Sequence, residues 1–266
     1  MQKYAISIIG AGKVAQHLYR QFLACQLKVD CVWARDTKQK AVFEQTTFVT
    51  DMAKITPDSD VYIICVSDQA IEDVAKQLLN ALHAKCLVVH CSGATPASVL
   101  AHTFKRFGIF YPLQSFSVGS APDWTQIPIC VSANLAEDEK LLLALASSIA
   151  PTVKVVSDEQ RLALHVAAVF VNNFSNHLFA IAKQICDANQ LDFNLLKPLI
   201  TETIHKIQDH EPKAMQTGPA VRNDSVTIAR HLDFLGNDLK AFSDIYKMLT
   251  VSILNNKKGS NSMIRN

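Results

Sequence analysis

The segment Tyr4-Ala-Ile-Ser-Ile-Ile-Gly-Ala-Gly-Lys-Val-Ala15 constrains the fold more than any other. An apolar run passes directly into a glycine turn and then into an amphipathic stretch from Val14 to Leu23. A strand, a tight turn and a helix start in immediate succession form the opening half of a dinucleotide-binding βαβ unit. The first-turn N–H groups of such a helix lack internal partners and face the pyrophosphate. Gly10 permits the turn, Gly12 lets the backbone approach the phosphates, and Ala15 stands where helix–strand packing requires a small residue. A bare G-x-G-x-x-A spacing recurs by chance, so the strand before it and the helix after it carry the inference. Cofactor contacts are therefore expected from Gly10, Ala11, Gly12, Lys13, Val14 and Ala15.

A second strand, Val29 to Ala34, ends in Arg35-Asp36, near the roughly 20-residue offset at which such a domain grips the adenosine ribose. A guanidinium suits a ribose 2′-phosphate, so Arg35 favours NADP over NAD. The alternative is that Arg35 is a solvated loop cation and Asp36 takes the ribose hydroxyls. Further strands are expected at 46–49, 60–66, 86–91, 107–111, 127–132 and 153–156, with helices at 13–25, 37–44, 69–82, 95–102 and 137–149. Val61-Tyr-Ile-Ile-Cys-Val66 and Cys86-Leu-Val-Val-His90 are continuous apolar runs, as a parallel sheet covered on both faces requires. The fold class is α/β, a doubly wound, mostly parallel Rossmann-type sheet followed by an all-helical region. Helices are expected there at 158–188, 193–209, 212–216, 225–234 and 237–254. The implied domains are 1–156 for the dinucleotide and 157–254 for substrate, with a frayed tail at 255–266.

The 26 basic and 24 acidic residues nearly cancel, so there is no field for nucleic acid or an anionic membrane. Apolar stretches fall short of a membrane span and the N-terminus reads as a core strand, from which a cytoplasmic location is expected. Seven cysteines without a C-x-x-C pair read as reduced thiols, and the nine histidines lack ligand spacing, so no metal is expected.

In a doubly wound sheet the ligand lies beyond the carboxyl ends of the strands. Val66-Ser67-Asp68 leaves the fourth strand, where Ser67 and Asp68 either line the nicotinamide ribose or cap the next helix. His90, Ser92 and Gly93 leave the fifth, where the nicotinamide should lie; a histidine there can equally be structural. Tyr111, held extended by Pro112, leaves the sixth, where its phenol can donate a proton or simply pack. On the helix from 158, positions 161, 165, 172 and 176 align in one stripe at about 100° per residue, with Asn173 on its shoulder. In these apolar surroundings His165 suits a proton donor, and Asn172 and Asn173 suit orienting hydrogen bonds for a carbonyl or imine undergoing hydride transfer. The alternative is a polar contact within a helical core or across a dimer. In Gly218-Pro-Ala-Val-Arg222-Asn-Asp-Ser225, Asn223 or Asp224 caps the next helix, and Arg222 offers an anion clamp or is a surface cation.

Taken together, Gly10–Ala15, Val66–Asp68, His90–Gly93, Tyr111–Phe116, His165–Phe170 with Asn173, and Gly218–Asp224 resemble a two-domain bacterial family of NADP oxidoreductases. Its members pair a Rossmann-like N-terminal domain with a helical C-terminal domain and are distant kin of pyrroline-5-carboxylate reductase, prephenate dehydrogenase and 6-phosphogluconate dehydrogenase. The resemblance spans about residues 3 to 254. It implies NADP(H) in the N-terminal cleft, a small-molecule substrate beneath the long helix, and a homodimer formed through the helical domain. The family often carries His where this chain has Tyr111, which makes any proton transfer there a phenol's task. It often carries Gly where this chain has Asn223. The lysine of the 6-phosphogluconate dehydrogenase kin has no counterpart on the long helix before Lys183, which leaves His165 and Asn173 for its roles. The expected activity is NADP(H)-dependent hydride transfer to or from a small polar metabolite. The rivals are a non-catalytic NADP(H) sensor or scaffold and a deazaflavin-linked NADP reductase.

Overall fold

The computed structural model describes residues 4–117, 119, 121–236 and 239–263. All eight expected strands form: β1 (Ala5–Ile9), β2 (Lys28–Trp33), β3 (Thr47–Val49), β4 (Val61–Ile64), β5 (Leu87–His90), β6 (Arg106–Pro112), β7 (Ile129–Ala133) and β8 (Val153–Val155). They make one sheet in the order β3-β2-β1-β4-β5-β6-β7-β8. Strands β1 to β6 are mutually parallel, β7 runs antiparallel to β6, and β8 is parallel to β7. The order reverses between β1 and β4, which opens a crevice at their carboxyl ends.

Helix α1 (Lys13–Ala24) forms because Ala15, Leu18, Tyr19 and Phe22 recur on one face. With α3 (Ala136–Ser147), which contributes Leu142, Leu145 and Ala146, it covers the sheet face bearing Ile6, Ile8, Ile63 and Val89. Helix α2 (Ile71–Leu78) covers the opposite face, packing Ile71, Val74 and Leu78 against Ile9, Tyr62, Ile64 and Val88. Each large side chain so buried contributes about 2 kcal/mol. Consecutive residues Ile8 and Ile9 belong to opposite faces, as the period of two demands.

Two expected helices are shorter and tighter. Over 37–44 only a 3₁₀ turn, Lys40–Val42, forms, and ahead of it the Asp36 carboxylate accepts the Lys38 N–H. Over 95–102 the 3₁₀ turn Ala97–Leu100 forms, with the Ala97 N–H bonded to the Asp158 carboxylate.

The chain divides into two compact units, Met1–Asn172 and Asn173–Asn266. This division lies beyond the boundary expected at 156, because the first helix after the sheet, α4 (Asp158–Ala168), is bonded to the sheet's loops. Ser157 opens α4 with a capping box closed by Gln160. A π-helical turn follows over Val169–Phe174.

The second unit is helical: α5 (Ser175–Ala188), α6 (Lys197–Asp209), α7 (Pro219–Arg222), α8 (Ser225–Leu235) and α9 (Ser243–Met263). Residues 212–216 form turns rather than a helix, with Ala214 N–H bonded to Glu211 O and Met215 N–H to Pro212 O. The run is closed by Pro212 at its start and by the Gly218-Pro219 break after it. Asn223 is left-handed (φ 56°) and the Asp224 carboxylate caps α8 through the Thr227 N–H. Helix α9 runs on to Met263, into the segment expected as a tail, of which 264–266 lie outside the described residues.

Candidate functional site

The glycine turn lies in the β1/β4 crevice. Gly10 has φ 121°, and a Cβ there would drive into the Cys65 carbonyl at the exit of β4, so both conformation and space require glycine. Its N–H bonds Trp33 O at 2.7 Å, which closes the turn onto β2. Gly12 is the N-cap of α1, yet no side chain caps this helix and no acidic residue stands in its first turn. The first-turn N–H groups of a twelve-residue helix thus remain available to an anion, which fits a dinucleotide pyrophosphate. Ala15 is fully buried against the sheet, Ala11 and Val14 are half-buried, and Lys13 is exposed at the mouth.

Arg35 is exposed at the end of β2. Asp36 is turned onto its own loop, accepting the Lys38 N–H at 3.0 Å with the Lys38 ammonium at 3.3 Å, and these contacts hold its carboxyl below the usual range. The carboxylate that would take unphosphorylated ribose hydroxyls is therefore committed locally, and the guanidinium beside it is presented to solvent.

Beyond β4, Val66 is half-buried beside Gly10. Ser67 begins a 3₁₀ turn through its carbonyl, but its hydroxyl makes no capping bond, and Asp68 is exposed. Of the two roles weighed for Ser67, side-chain capping is absent.

Beyond β5 the backbone is held from within. His90 is fully buried; its Nδ1 accepts the Ser92 N–H at 3.2 Å and its Nε2 lies 3.3 Å from Pro96 O. Burial pushes its pKa down to about 4, so the ring is neutral with its proton on Nε2. Both ring nitrogens of His90 are thus engaged by its own loop, which they brace. The Ser92 Oγ accepts the N–H groups of Ala94 and Thr95 at 3.1 and 2.9 Å.

Helix α4 runs alongside this loop, and three of its residues on one face meet it in turn. The Asp158 carboxylate accepts the Ala97 N–H, Arg161 donates to the Thr95 carbonyl and to Asp158, and His165 lies against Gly93. Arg161 is fully buried and its Nε has no partner. The imidazole Nδ1 of His165 is 3.1 Å from the Tyr111 hydroxyl, the rings meeting edge to face at 6.1 Å between centroids. Both residues are half-buried. Burial, and secondarily the Cys130 thiol, push the Tyr111 phenol above its ordinary pKa, with the Arg161 cation opposing. A protonated phenol in contact with an imidazole is a proton-transfer pair.

The expected stripe does not persist past His165. A π turn adds a residue to the turn, so the 3.6-residue spacing that aligned 165 with 172 is broken at Val169. Asn172 and Asn173 are exposed rather than buried. Asn173 and Arg222 belong to the second unit, where Arg222 is exposed at the end of α7 beside the left-handed Asn223. Sequence reasoning placed Arg161 on the stripe without a role and missed Asp158; the signal was their spacing of 158, 161 and 165 on one helix face.

Among the described residues no cluster of His, Cys, Asp or Glu could hold a metal, and no helix is long and apolar enough to cross a membrane. All seven cysteines are free.

Residues 5–93 match the family described as NADP oxidoreductase coenzyme F420-dependent, and residues 127–253 match a domain of unknown function. Among solved structures, a protein of Bacteroides fragilis described as a "putative NADP oxidoreductase" is 33% identical. The alignment covers 95% of this chain and 98% of that one, with a TM-score of 0.88. A Thermotoga maritima protein is 20% identical over 96% of this chain and 99% of its own, with a TM-score of 0.71. An imine reductase of Myxococcus stipitatus, solved in complex with NADP+, is 13% identical over 97% and 94%, with a TM-score of 0.63. The last two likenesses are of fold alone. None of the curated proteins compared matches the chain.

Proposed function

The chain belongs to the two-domain NADP oxidoreductase family, and from that premise we propose that it transfers a hydride between NADP(H) and the carbon of a carbonyl or imine in a small polar metabolite. The observation that carries the reading is the Tyr111–His165 contact of 3.1 Å within the unit that carries the glycine turn.

NADPH, when bound, supplies the hydride. The open N-terminus of α1 and Gly12 hold the pyrophosphate, and Arg35 holds the 2′-phosphate while Asp36 stays on its loop. Tyr111, kept protonated by burial, donates to Nδ1 of His165. The ring then carries its own proton on Nε2; as Nε2 gives it to the reduced oxygen or nitrogen, the phenol proton passes to Nδ1, so the ring stays neutral and the charge ends on the Tyr111 oxygen. In the reverse direction the same pair removes that proton.

A homodimer through the second unit is part of this reading. It is supported by large apolar side chains left in water there, such as Leu195, Leu199 and Met248, each more than 60% exposed. A monomer in sedimentation would remove that part.

The test is NADPH oxidation against a panel of keto acids, imines and 3-keto sugars. His165→Ala should lower the rate about 10²- to 10⁴-fold while leaving NADPH affinity intact. An unaffected rate removes the imidazole from the mechanism. Tight NADPH binding without turnover on any substrate favours a sensor or scaffold. The match of residues 5–93 to a coenzyme F420-dependent family supports a second reading, with a deazaflavin as the hydride partner. Its check is a deazaflavin absorbance change on mixing with NADPH and protein, and no change ends it.

A further inference from the structure

Gly93 follows β5 in the loop that α4 grips, and its conformation is not one that demands glycine: its φ lies outside the left-handed range. What demands glycine is space. A Cβ built on Gly93 would lie 2.5 Å from Nδ1 and 2.7 Å from Cγ of His165, and 2.9 Å from Cζ of Tyr111. Real Cβ contacts do not come this close, and neither ring is the loose end of a flexible chain. The two atoms bonded to each other across the pair, Nδ1 and the phenol oxygen carried on Cζ, are those the missing methyl would displace.

We propose that Gly93 is a positioning residue of the Tyr111–His165 pair. Its bare backbone is the floor on which the imidazole lies, and this sets Nδ1 toward the phenol and leaves Nε2 as the exchanging nitrogen. The inference rests on the reading of that pair as the proton-transfer group.

The surrounding bonds make the floor rigid. Ser92 is fixed from below by His90, its Oγ holds Ala94 and Thr95, and Arg161 and Asp158 tie Thr95 and Ala97 to α4. A methyl at Gly93 therefore cannot be accommodated by moving the loop. The side chains on α4 and β6 must move instead, and the pair parts.

The experiment uses the full-length protein without substrate. ¹⁵N NMR of the His165 ring in the wild type should show the Nε2–H tautomer with Nδ1 as acceptor. Gly93→Ala should shift that pattern to the one seen in Tyr111→Phe, while NADPH affinity by calorimetry changes less than about twofold. Should Gly93→Ala fold poorly, Gly93→Ala/His165→Ala removes the nearest ring. A higher melting temperature for this double variant than for Gly93→Ala, together with wild-type NADPH affinity, supports the proposal. Unchanged His165 resonances in Gly93→Ala, or a loss of NADPH affinity of tenfold or more in either Gly93 variant, overturns it. Because these readouts need no turnover, they decide the role of Gly93 separately from whether His165→Ala slows hydride transfer.

Discussion

Acidification tests the internal bracing of the β5 exit, because one buried imidazole there resists protonation. His90 is fully buried, and its ring pKa is held down to about 4. In the unfolded chain the same ring titrates near its ordinary value of about 6.5. A depressed histidine pKa means that the unfolded state takes up the proton first, so stability is intact above about pH 6.5 and falls as pH drops toward 4. The full shift corresponds to about 3 kcal/mol, and about 2 kcal/mol of it is lost by pH 5. For a chain of this size that is a fall in melting temperature of about 4–8 °C between pH 7 and pH 5. Carboxylates also titrate toward the acid end, so the decisive comparison is with His90→Asn. Its amide oxygen takes the place of Nδ1 and can accept from Ser92 N–H without titrating. Urea unfolding at pH 7 and pH 5 should give a stability loss about 2 kcal/mol smaller for His90→Asn than for the wild type. Equal losses in the two proteins would show that His90 does not resist protonation, and the bracing argument would fail.

Two further perturbations separate cofactor selection from the core. Arg35→Ala should weaken NADPH binding about 10- to 100-fold, the worth of charge-assisted hydrogen bonds, and leave NADH binding unchanged; a parallel loss for both cofactors in calorimetry would place Arg35 elsewhere. Arg106→Ala should cost about 3–5 kcal/mol in urea unfolding because it strands the Asp138 carboxylate, which is 0% exposed and bonded by Arg106 Nε at 3.1 Å. Asp138→Ala should cost less, because the Arg106 side chain is 34% exposed and can return to water; the reverse order would refute this account.

The strands were legible because β-branched and apolar residues, continuous in β4 and β5, are closed by turn residues, and the glycine turn was legible because Gly10 and Gly12 satisfy different needs at fixed spacing. The short turns at 40–42 and 97–100 were not; at each a side-chain carboxylate, Asp36 in one case and Asp158 in the other, holds a backbone N–H just ahead of or at the turn's first residue. The second of these acts from 61 positions away along the chain, so no local window contains it. The same limit applies to the candidate site. Tyr111 and His165 were each singled out, but their pairing depends on the sheet register that brings β6 beside β5 and on the clamp that seats α4. The π turn escaped because nothing in the periodicity of Val169–Phe174 announces an added residue, and with it went the expected alignment of His165 and Asn172.

Arg161 bears on why that clamp is polar at all. A guanidinium removed from water costs several kcal/mol, and this one recovers part of that through Asp158 and the Thr95 carbonyl while its Nε stays unpartnered. An apolar side chain of similar volume would fill the space at no such cost, so stability alone does not account for an arginine here. An apolar contact is, however, indifferent to rotation and sliding of the helix, whereas a donor to one carbonyl and one carboxylate is not. His165 follows four residues later, about 6 Å along a rigid helix, so fixing Arg161 fixes the height and azimuth at which the imidazole reaches Gly93 and Tyr111. The buried cation thus converts a helix laid along the β5 exit loop into a helix in register with it.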